Sequence, residues 1–181
     1  GEASRYFPLT THYRAPINFS DVPLLDAADR IVYLYETLAR ADDAIELGNT
    51  DREPLEIAST LDIEARLNDA LCEDLNTPKV LAILSDSLRA INGLVENPPE
   101  TKAERTRVAA TLKVLRKDLN TVLSVVGIGE ADPQTWLTER RDRLAHERGL
   151  DIAWVQEQIK QRQTAKNERN FAKADSLRDA L

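Results

Sequence analysis

The stretch Leu71-Cys72-Glu73-Asp74-Leu75-Asn76-Thr77-Pro78 decides the fold, because the segments on both sides take their helical register from it. Asn76 or Thr77 can accept a hydrogen bond from a free backbone N–H, and Pro78 suits the first turn of a helix. Upstream, apolar residues follow a helical spacing at Leu61, Ile63, Leu67, Ala70 and Leu71. Downstream, the same spacing recurs at Leu81, Leu84, Leu88, Ile91 and Val95. The stretch therefore predicts a capped turn between two amphipathic helices.

Further apolar stripes extend this pattern over most of the chain. The longest runs at spacings of four and three through Val108, Leu112, Leu115, Leu119, Val122 and Val126. We expect main helices near residues 21–43, 59–73, 78–95 and 101–126, with a shorter one from Asp132-Pro133. Short connections favour antiparallel neighbours, and no segment alternates with a period of two. The predicted fold is all-α, an up-and-down antiparallel helical bundle followed by a helical C-terminal extension.

Charge is distributed unevenly along a chain whose net charge is −7. Residues 1–100 carry 8 basic and 19 acidic side chains, whereas residues 139–181 carry 10 and 8. An acidic chain is a poor non-specific ligand for nucleic acid, so a basic face is expected only toward the C-terminus. No run is long and apolar enough for a membrane span, and no signal peptide is visible. The single Cys72 excludes an intrachain disulfide, which fits a reducing cytoplasm.

The C-terminal stretch combines cations with an aromatic ring. Gly149 separates it from the bundle, and Asp151 is predicted to cap the helix that follows. Asn170 is predicted either to interrupt that helix or to cap a second one. From Lys160 to Leu181 there are six basic and three acidic residues beside Phe171. Single-stranded nucleic acid is bound by such mixtures, since cations follow phosphates and aromatic faces stack on bases. Packing of Phe171 against Leu177 is the alternative.

Four stretches together resemble the cysteinyl-tRNA synthetase family, in that family's order. They are Arg5–Arg14 with its Arg-Tyr-Phe and His-Tyr-Arg, Asn18–Ser20, Asp74–Pro78 and Arg162–Leu181. The absence of methionine also suggests a piece of a longer protein. The resemblance implies a C-terminal fragment. Residues 1–20 would connect to an absent catalytic core, 21–148 would form a tRNA-binding helical bundle, and 149–181 an incomplete anticodon-binding region.

The resemblance also implies the tRNA-binding residues. Lys166, Phe171 and Asp175 would contact the anticodon bases, with Arg162, Arg169 and Asn170 nearby. The family often has Arg and Trp where this chain has Lys166 and Phe171. A lysine lacks the planar fork that binds a base edge through two bonds, and a phenyl ring offers a smaller stacking face. The family also continues into a small sheet-forming segment that is not present here.

The whole enzyme of this family attaches cysteine to tRNA(Cys) with ATP, and zinc selects the thiol. This chain has neither the nucleotide-binding signatures nor the zinc ligands, so no catalytic residue, metal site or cofactor is predicted for it. The implied partners are tRNA(Cys) and the catalytic core of the same polypeptide, in the cytoplasm and without a membrane.

Two alternatives stay open at this point. A mycothiol-pathway ligase joins cysteine to an amino sugar and needs no anticodon reader, and a helical protein-interaction module would have no RNA role. The aromatic residues that open the chain are expected to pack onto the bundle. The acidic segment 48–56 is predicted to be a mobile loop and receives no functional assignment.

Overall fold

Every regular element in the described part of the chain is a helix. The computed structural model describes residues 1–48 and 50–179, apart from the side chains of Ser59 and Thr60. The helices are α1 (Glu2–Leu9), α2 (Asp21–Leu47), α3 (Ile57–Thr60), α4 (Ile63–Cys72), α5 (Thr77–Glu96), α6 (Lys102–Val126), α7 (Pro133–Glu147), α8 (Ile152–Asn167) and α9 (Phe171–Asp179). The all-α prediction is confirmed. The chain forms two compact units, residues 1–136 and 137–181, and α7 begins in the first and ends in the second.

The core of the first unit lies where α2, α5 and α6 pack against one another, with α4 on α5 and α6 and α1 on α2. The largest fully buried side chains include Leu34, Tyr35, Leu38, Ile91, Leu112, Leu115, Leu119 and Ile128. The stripe predicted for α6 therefore faces the core. Each buried aliphatic side chain of this size stabilises the fold by roughly 1.5–3 kcal/mol.

Two details of the bundle differ from the prediction. The helix expected over 59–73 is divided between α3 and α4, because Asp62 adopts a left-handed backbone with φ 40°. Aspartate tolerates that conformation better than most residues do. The spacing of Leu25, Ala28, Val32, Tyr35, Leu38 and Ala39 predicts that these residues form the inner face of α2, but Leu25 is exposed. It lies one residue away from the stripe that α2 buries, which runs through Ala27, Ile31, Leu34 and Leu38.

The turn between α4 and α5 has the predicted cap. The Asn76 side-chain oxygen accepts a hydrogen bond from the Lys79 N–H at 3.2 Å. The two residues before it, Asp74 and Leu75, both have left-handed backbones with φ of 55° and 53°. The Asn76 N–H donates to the Ala70 carbonyl at 2.9 Å, which closes the turn over the end of α4.

Helix α7 begins against α2 through a stacked pair of aromatic rings, of which Tyr35 is fully buried. The Tyr35 ring stacks on Trp136, with centroids 4.1 Å apart and planes 10° from parallel. The Tyr35 hydroxyl donates to Glu2 Oε1 at 3.0 Å, and the Gly129 N–H donates to the same oxygen at 2.9 Å. Burial, followed by the hydrogen bond to Glu2, raises the pKa of Tyr35 to about 12.

The acidic segment before α3 lies against α6. Residues 50–56 contain no helix or strand, as expected of a loop. The Leu55 N–H donates to Thr111 Oγ1 at 2.8 Å, and the Arg107 guanidinium donates to the Glu53 carbonyl at 3.4 Å. Asn49 of the predicted loop, and Ala180 and Leu181 of the C-terminal motif, lie outside the described residues.

Candidate nucleic-acid interface

Two capped helices carry the residues predicted to bind RNA. Helix α8 begins after Asp151, whose Oδ1 accepts a hydrogen bond from the Trp154 N–H at 3.1 Å. Helix α9 begins after Asn170, whose Oδ1 accepts the Lys173 N–H at 3.2 Å. Both predicted caps are confirmed, and each satisfies a backbone donor that the first helical turn leaves unpaired. The Asn170 cap makes Phe171 the first residue of α9.

The turn between α8 and α9 is set by backbone hydrogen bonds. The Asn170 N–H donates to the Ala165 carbonyl at 2.8 Å, and the Arg169 N–H donates to the Lys166 carbonyl at 3.0 Å. This pattern requires a left-handed residue after the helix, and Arg169 supplies it with φ 58°. Glycine occupies the corresponding position after α7, at Gly149 with φ 65°. A non-glycine residue in this conformation costs roughly 1–2 kcal/mol.

Small residues let α8 and α9 pack closely. Ala165 and Ala174 are the residues that these two helices bury, with 1% and 3% of their surfaces exposed. Leu177 is only half-buried. Phe171 is 63% exposed, so its ring is not buried against Leu177 as the alternative required.

The predicted RNA-binding residues occupy two helix faces and the turn between them. Arg162 and Lys166 are four residues apart on α8, and Phe171 and Asp175 are four apart on α9, so each pair shares a face. Lys166, Arg169, Asn170, Phe171 and Asp175 are all exposed. Arg162 differs, because it is half-buried and its Nε is a buried donor with no hydrogen-bond partner within the described part of the chain.

The charges on this unit leave cations available to a ligand. No ion pair involves Lys166, Arg169 or Lys173 within the described residues. Asp175 accepts a hydrogen bond from Arg178 Nη1 at 3.2 Å, and Arg178 also pairs with Asp179 at 2.9 Å. Asp179 chiefly, with Asp175, raises the pKa of Arg178 above its ordinary value. One carboxylate oxygen of Asp175 thus already accepts a hydrogen bond, and the other can accept one from a ligand.

Sequence reasoning missed two features of the α8–α9 unit. Trp154, in the first turn of α8, is 47% exposed and provides a second aromatic face. The contact between Arg178 and Asp175 was also missed, although their spacing of three on a helix is a signal that was available.

Comparison with known proteins finds one matching domain model and several similar sequences. Residues 66–127, from α4 to the glycine that ends α6, match the family model described as the DALR domain. The chain is 36% identical to the cysteine–tRNA ligase of Anaeromyxobacter sp. strain Fw109-5 over 99% of its own length and 36% of that protein. It is 37% identical to that of Anaeromyxobacter dehalogenans strain 2CP-1, over 100% of the chain and 36% of the relative. It is 31% identical to the cysteine–tRNA ligase of Geobacter sulfurreducens, over 99% of the chain and 37% of that protein.

The chain spans little more than a third of the length of these relatives. Its match to them is nevertheless continuous from the bundle to the α8–α9 unit, as the resemblance predicted. Over its whole length the chain is homologous to part of the cysteine–tRNA ligases, and residues 66–127 match the DALR domain model.

Proposed function

We propose that this chain binds tRNA(Cys) and that its α8–α9 unit contacts the anticodon, while the remainder of a cysteine–tRNA ligase polypeptide attaches the amino acid. One observation carries the proposal. The aromatic ring of Phe171 is 63% exposed at the start of a capped helix, next to cations without ion-pair partners in the described chain. An exposed ring flanked by cations is the arrangement that unpaired bases require.

Each residue has a separate task in this proposal. Phe171 stacks on an anticodon base, a contact typically worth about 1–3 kcal/mol. Asp175 accepts a hydrogen bond from an amino group at a base edge, and Arg178 holds its carboxylate in place. Lys166, which the resemblance places at the anticodon bases, is assigned to an anticodon phosphate instead, because a lysine lacks the planar fork that binds a base edge. Arg169 neutralises a second phosphate. Asn170 acts indirectly, because its side chain is used in capping α9.

The bundle would hold the body of the tRNA. Its first hundred residues have an excess of 11 acidic side chains, so RNA contacts are expected on α6 rather than across the whole surface. Lys102 and Lys117 on α6 are exposed, and neither has an ion pair within the described residues. Their phosphate contacts would position the tRNA without reading its sequence.

The family resemblance implies zinc and ATP for the whole enzyme, and the described residues of this chain offer no ready set of ligands for zinc. Within residues 1–48 and 50–179, no group of three or more His, Cys, Asp or Glu side chains is placed to hold a metal ion. We assign both groups, and the chemistry of cysteine attachment, to the part of the polypeptide outside this chain. No helix in the described residues has the length and apolar character needed to cross a membrane. We propose a cytoplasmic location, where charged tRNA is used.

The proposal is tested by equilibrium binding of the chain to a tRNA(Cys) transcript and to an unrelated tRNA, each at several salt concentrations. Lys166→Ala should weaken binding about 3- to 10-fold and reduce the salt dependence by about one phosphate contact. Lys160→Ala is the matched control, because Lys160 is an exposed lysine on the same helix that the resemblance does not place at the anticodon.

Equal affinity for both tRNAs would contradict anticodon recognition and leave only charge attraction. Absence of binding even at low salt would contradict the RNA role altogether and favour the mycothiol-pathway or protein-interaction alternatives. An equal loss in Lys160→Ala would show that position on α8 does not matter, which also contradicts the assignment.

A further inference from the structure

The acidic segment between α2 and α3 lies across α6 and is attached to it at both ends. At its start, a Cβ atom on Gly48 would collide with the Cβ of Ala109, so the chain passes α6 too closely for any residue but glycine. At its end, the Leu55 N–H donates to Thr111 Oγ1 at 2.8 Å, an ordinary hydrogen-bond length. Residues 50–56 contain no helix or strand, and most of their side chains are exposed. We call residues 50–56 the acidic strap.

The middle of the strap contacts two basic side chains of α6. Arg107 Nε donates to the Glu53 carbonyl oxygen at 3.4 Å, and Lys113 Nζ donates to Thr50 Oγ1 at 3.4 Å. Both distances are longer than those of strong hydrogen bonds, so these two contacts are weak. The middle of the strap is therefore held less firmly than its ends, and another ligand of the two cations can displace it.

The strap also brings negative charge to these cations. Three of its seven side chains are acidic and one is basic, which gives a net charge of −2. Asp51 directly follows the threonine that Lys113 contacts, and Glu53 itself supplies the carbonyl that Arg107 contacts. Charges this close are not fully screened at physiological salt, where the Debye length is about 8 Å.

Lys113 is the middle member of a row of lysines on one face of α6. Lys102, Lys113 and Lys117 are separated by 11 and 4 residues, which correspond to about three turns and one turn of the helix. Lys102 and Lys117 are exposed, and neither has an ion pair within the described residues. The strap thus contacts the cation that a phosphate backbone following this row would meet between the other two.

We propose that the acidic strap is an autoinhibitory contact that competes with RNA phosphates for Arg107 and Lys113. When RNA binds, phosphates replace the Glu53 carbonyl and the Thr50 hydroxyl, and the middle of the strap moves away from α6 between its fixed ends. The strap thereby weakens the binding of any polyanion that offers phosphates and no further contacts. This inference rests on the proposed function, since it takes RNA to be the ligand of α6.

The test is a mutant cycle on the affinity for tRNA(Cys) and for inorganic polyphosphate, each measured at several salt concentrations. The strap variant, Asp51→Asn with Glu53→Gln and Glu56→Gln, should tighten the binding of both ligands about 3- to 10-fold and steepen the salt dependence by about two phosphate contacts. In a chain that also carries Arg107→Ala and Lys113→Ala, the same three changes should alter both affinities by less than about twofold, because the phosphates then have no cations to gain.

The matched control neutralises three exposed acidic residues of α2, through Asp26→Asn, Asp29→Asn and Glu36→Gln. It changes the net charge of the chain as much as the strap variant does, but it frees no cation on α6. Both affinities should therefore change by less than about twofold. Equal tightening by the control and the strap variant would show that only total charge matters and would overturn the inference. An equal effect of the strap variant with and without Arg107 and Lys113 would overturn it as well.

The strap inference and the RNA proposal can fail separately. Polyphosphate has no bases, so its cycle tests the competition for Arg107 and Lys113 independently of tRNA recognition. Phe171→Ala should reduce the affinity for tRNA(Cys) and leave the polyphosphate cycle unchanged. Loss of the Phe171 effect alone would refute anticodon contact and leave the strap competition standing. A polyphosphate cycle whose effects simply add would overturn the strap inference even if Phe171→Ala weakens tRNA binding.

Discussion

The bundle and the C-terminal unit are stabilised by different parts of their sequences. The bundle buries large side chains completely, among them Tyr35, Leu112 and Leu115. In the described part of residues 137–181, the buried residues are three alanines at positions 145, 165 and 174. The C-terminal unit instead exposes its large side chains, including Trp154 and Phe171.

This contrast indicates a division of roles. Burial of apolar surface stabilises the bundle, whereas helix caps and one turn define the shape of the α8–α9 pair. A segment that buries only alanines gains little from packing, so its exposed rings are available to a partner. Variants in the two regions should therefore change different observables.

Loss of a core side chain should have the largest effect on stability. Leu115→Ala should lower the free energy of unfolding by about 2–5 kcal/mol, because it removes buried methyl groups and leaves a cavity. Ile159→Ala removes an exposed aliphatic side chain from α8 and should change it by less than about 0.5 kcal/mol. Urea denaturation followed by circular dichroism measures both. Similar losses of unfolding free energy in the two variants would contradict the contrast between a packed bundle and a C-terminal unit with little packing.

Titration of the buried Tyr35 should give the second-largest change in stability. The folded pKa of Tyr35 is about 12 and its unfolded value about 10, so the unfolded chain releases this proton first as pH rises. The contribution of the Tyr35 proton to the free energy of unfolding is complete below pH 10. It is lost between about pH 10 and 12, and the loss is roughly 2–3 kcal/mol. The stability difference between wild type and Tyr35→Phe should shrink over this range when unfolding is measured at each pH. A constant difference would refute the raised pKa.

Removal of the two asparagine caps should affect stability differently, globally for Asn76 and only locally for Asn170. Asn76→Ala should destabilise the bundle by about 1 kcal/mol and lower its melting temperature. Asn170→Ala removes an equivalent cap, but only α9 should fray, by a similar free energy, with the bundle transition unchanged. Hydrogen exchange of the α9 amides together with thermal unfolding distinguishes the two outcomes. A lower bundle melting temperature for Asn170→Ala would show that the regions fold as one.

The left-handed turn residue should give the smallest stability change, and of opposite sign. Arg169→Gly relieves the backbone conformation at φ 58° and should strengthen the α8–α9 turn by up to about 1 kcal/mol. The same change removes a phosphate-binding cation, so affinity for tRNA(Cys) should fall about 3-fold or more. Exchange protection of α9 and tRNA binding are measured on the same sample. Tighter tRNA binding would mean that only the turn geometry matters.

Sequence reasoning succeeded where the determinants are local and regular. The stripe of α6 repeats without interruption, and caps such as Asn76 and Asp151 depend on residues within one turn. The break at Asp62 escaped prediction, because apolar spacing continues across it from Leu61 to Ile63.

Tertiary contacts explain the other differences. The opening aromatic residues were expected to pack onto the bundle, and Tyr6 and Phe7 do so. Tyr13 and Phe19 remain exposed, and the Tyr13 hydroxyl donates a hydrogen bond to Asp74, 61 residues away. No local pattern specifies a hydrogen bond over such a separation. The roles of Lys166, Phe171 and Asp175 at the anticodon stay a prediction, since exposure makes them accessible without showing what they bind.

The most direct test of this division of roles is the effect of Phe171→Ala on two quantities measured together, the affinity for tRNA(Cys) and the melting temperature. Loss of one stacked base should weaken binding by about 5- to 100-fold, while the bundle transition stays where it is in the wild type. Ile159→Ala, which truncates another exposed apolar side chain of the same unit, should change neither quantity. Unchanged affinity in Phe171→Ala, or a melting temperature that falls with it, would contradict the assignment of RNA binding to the exposed face of α9.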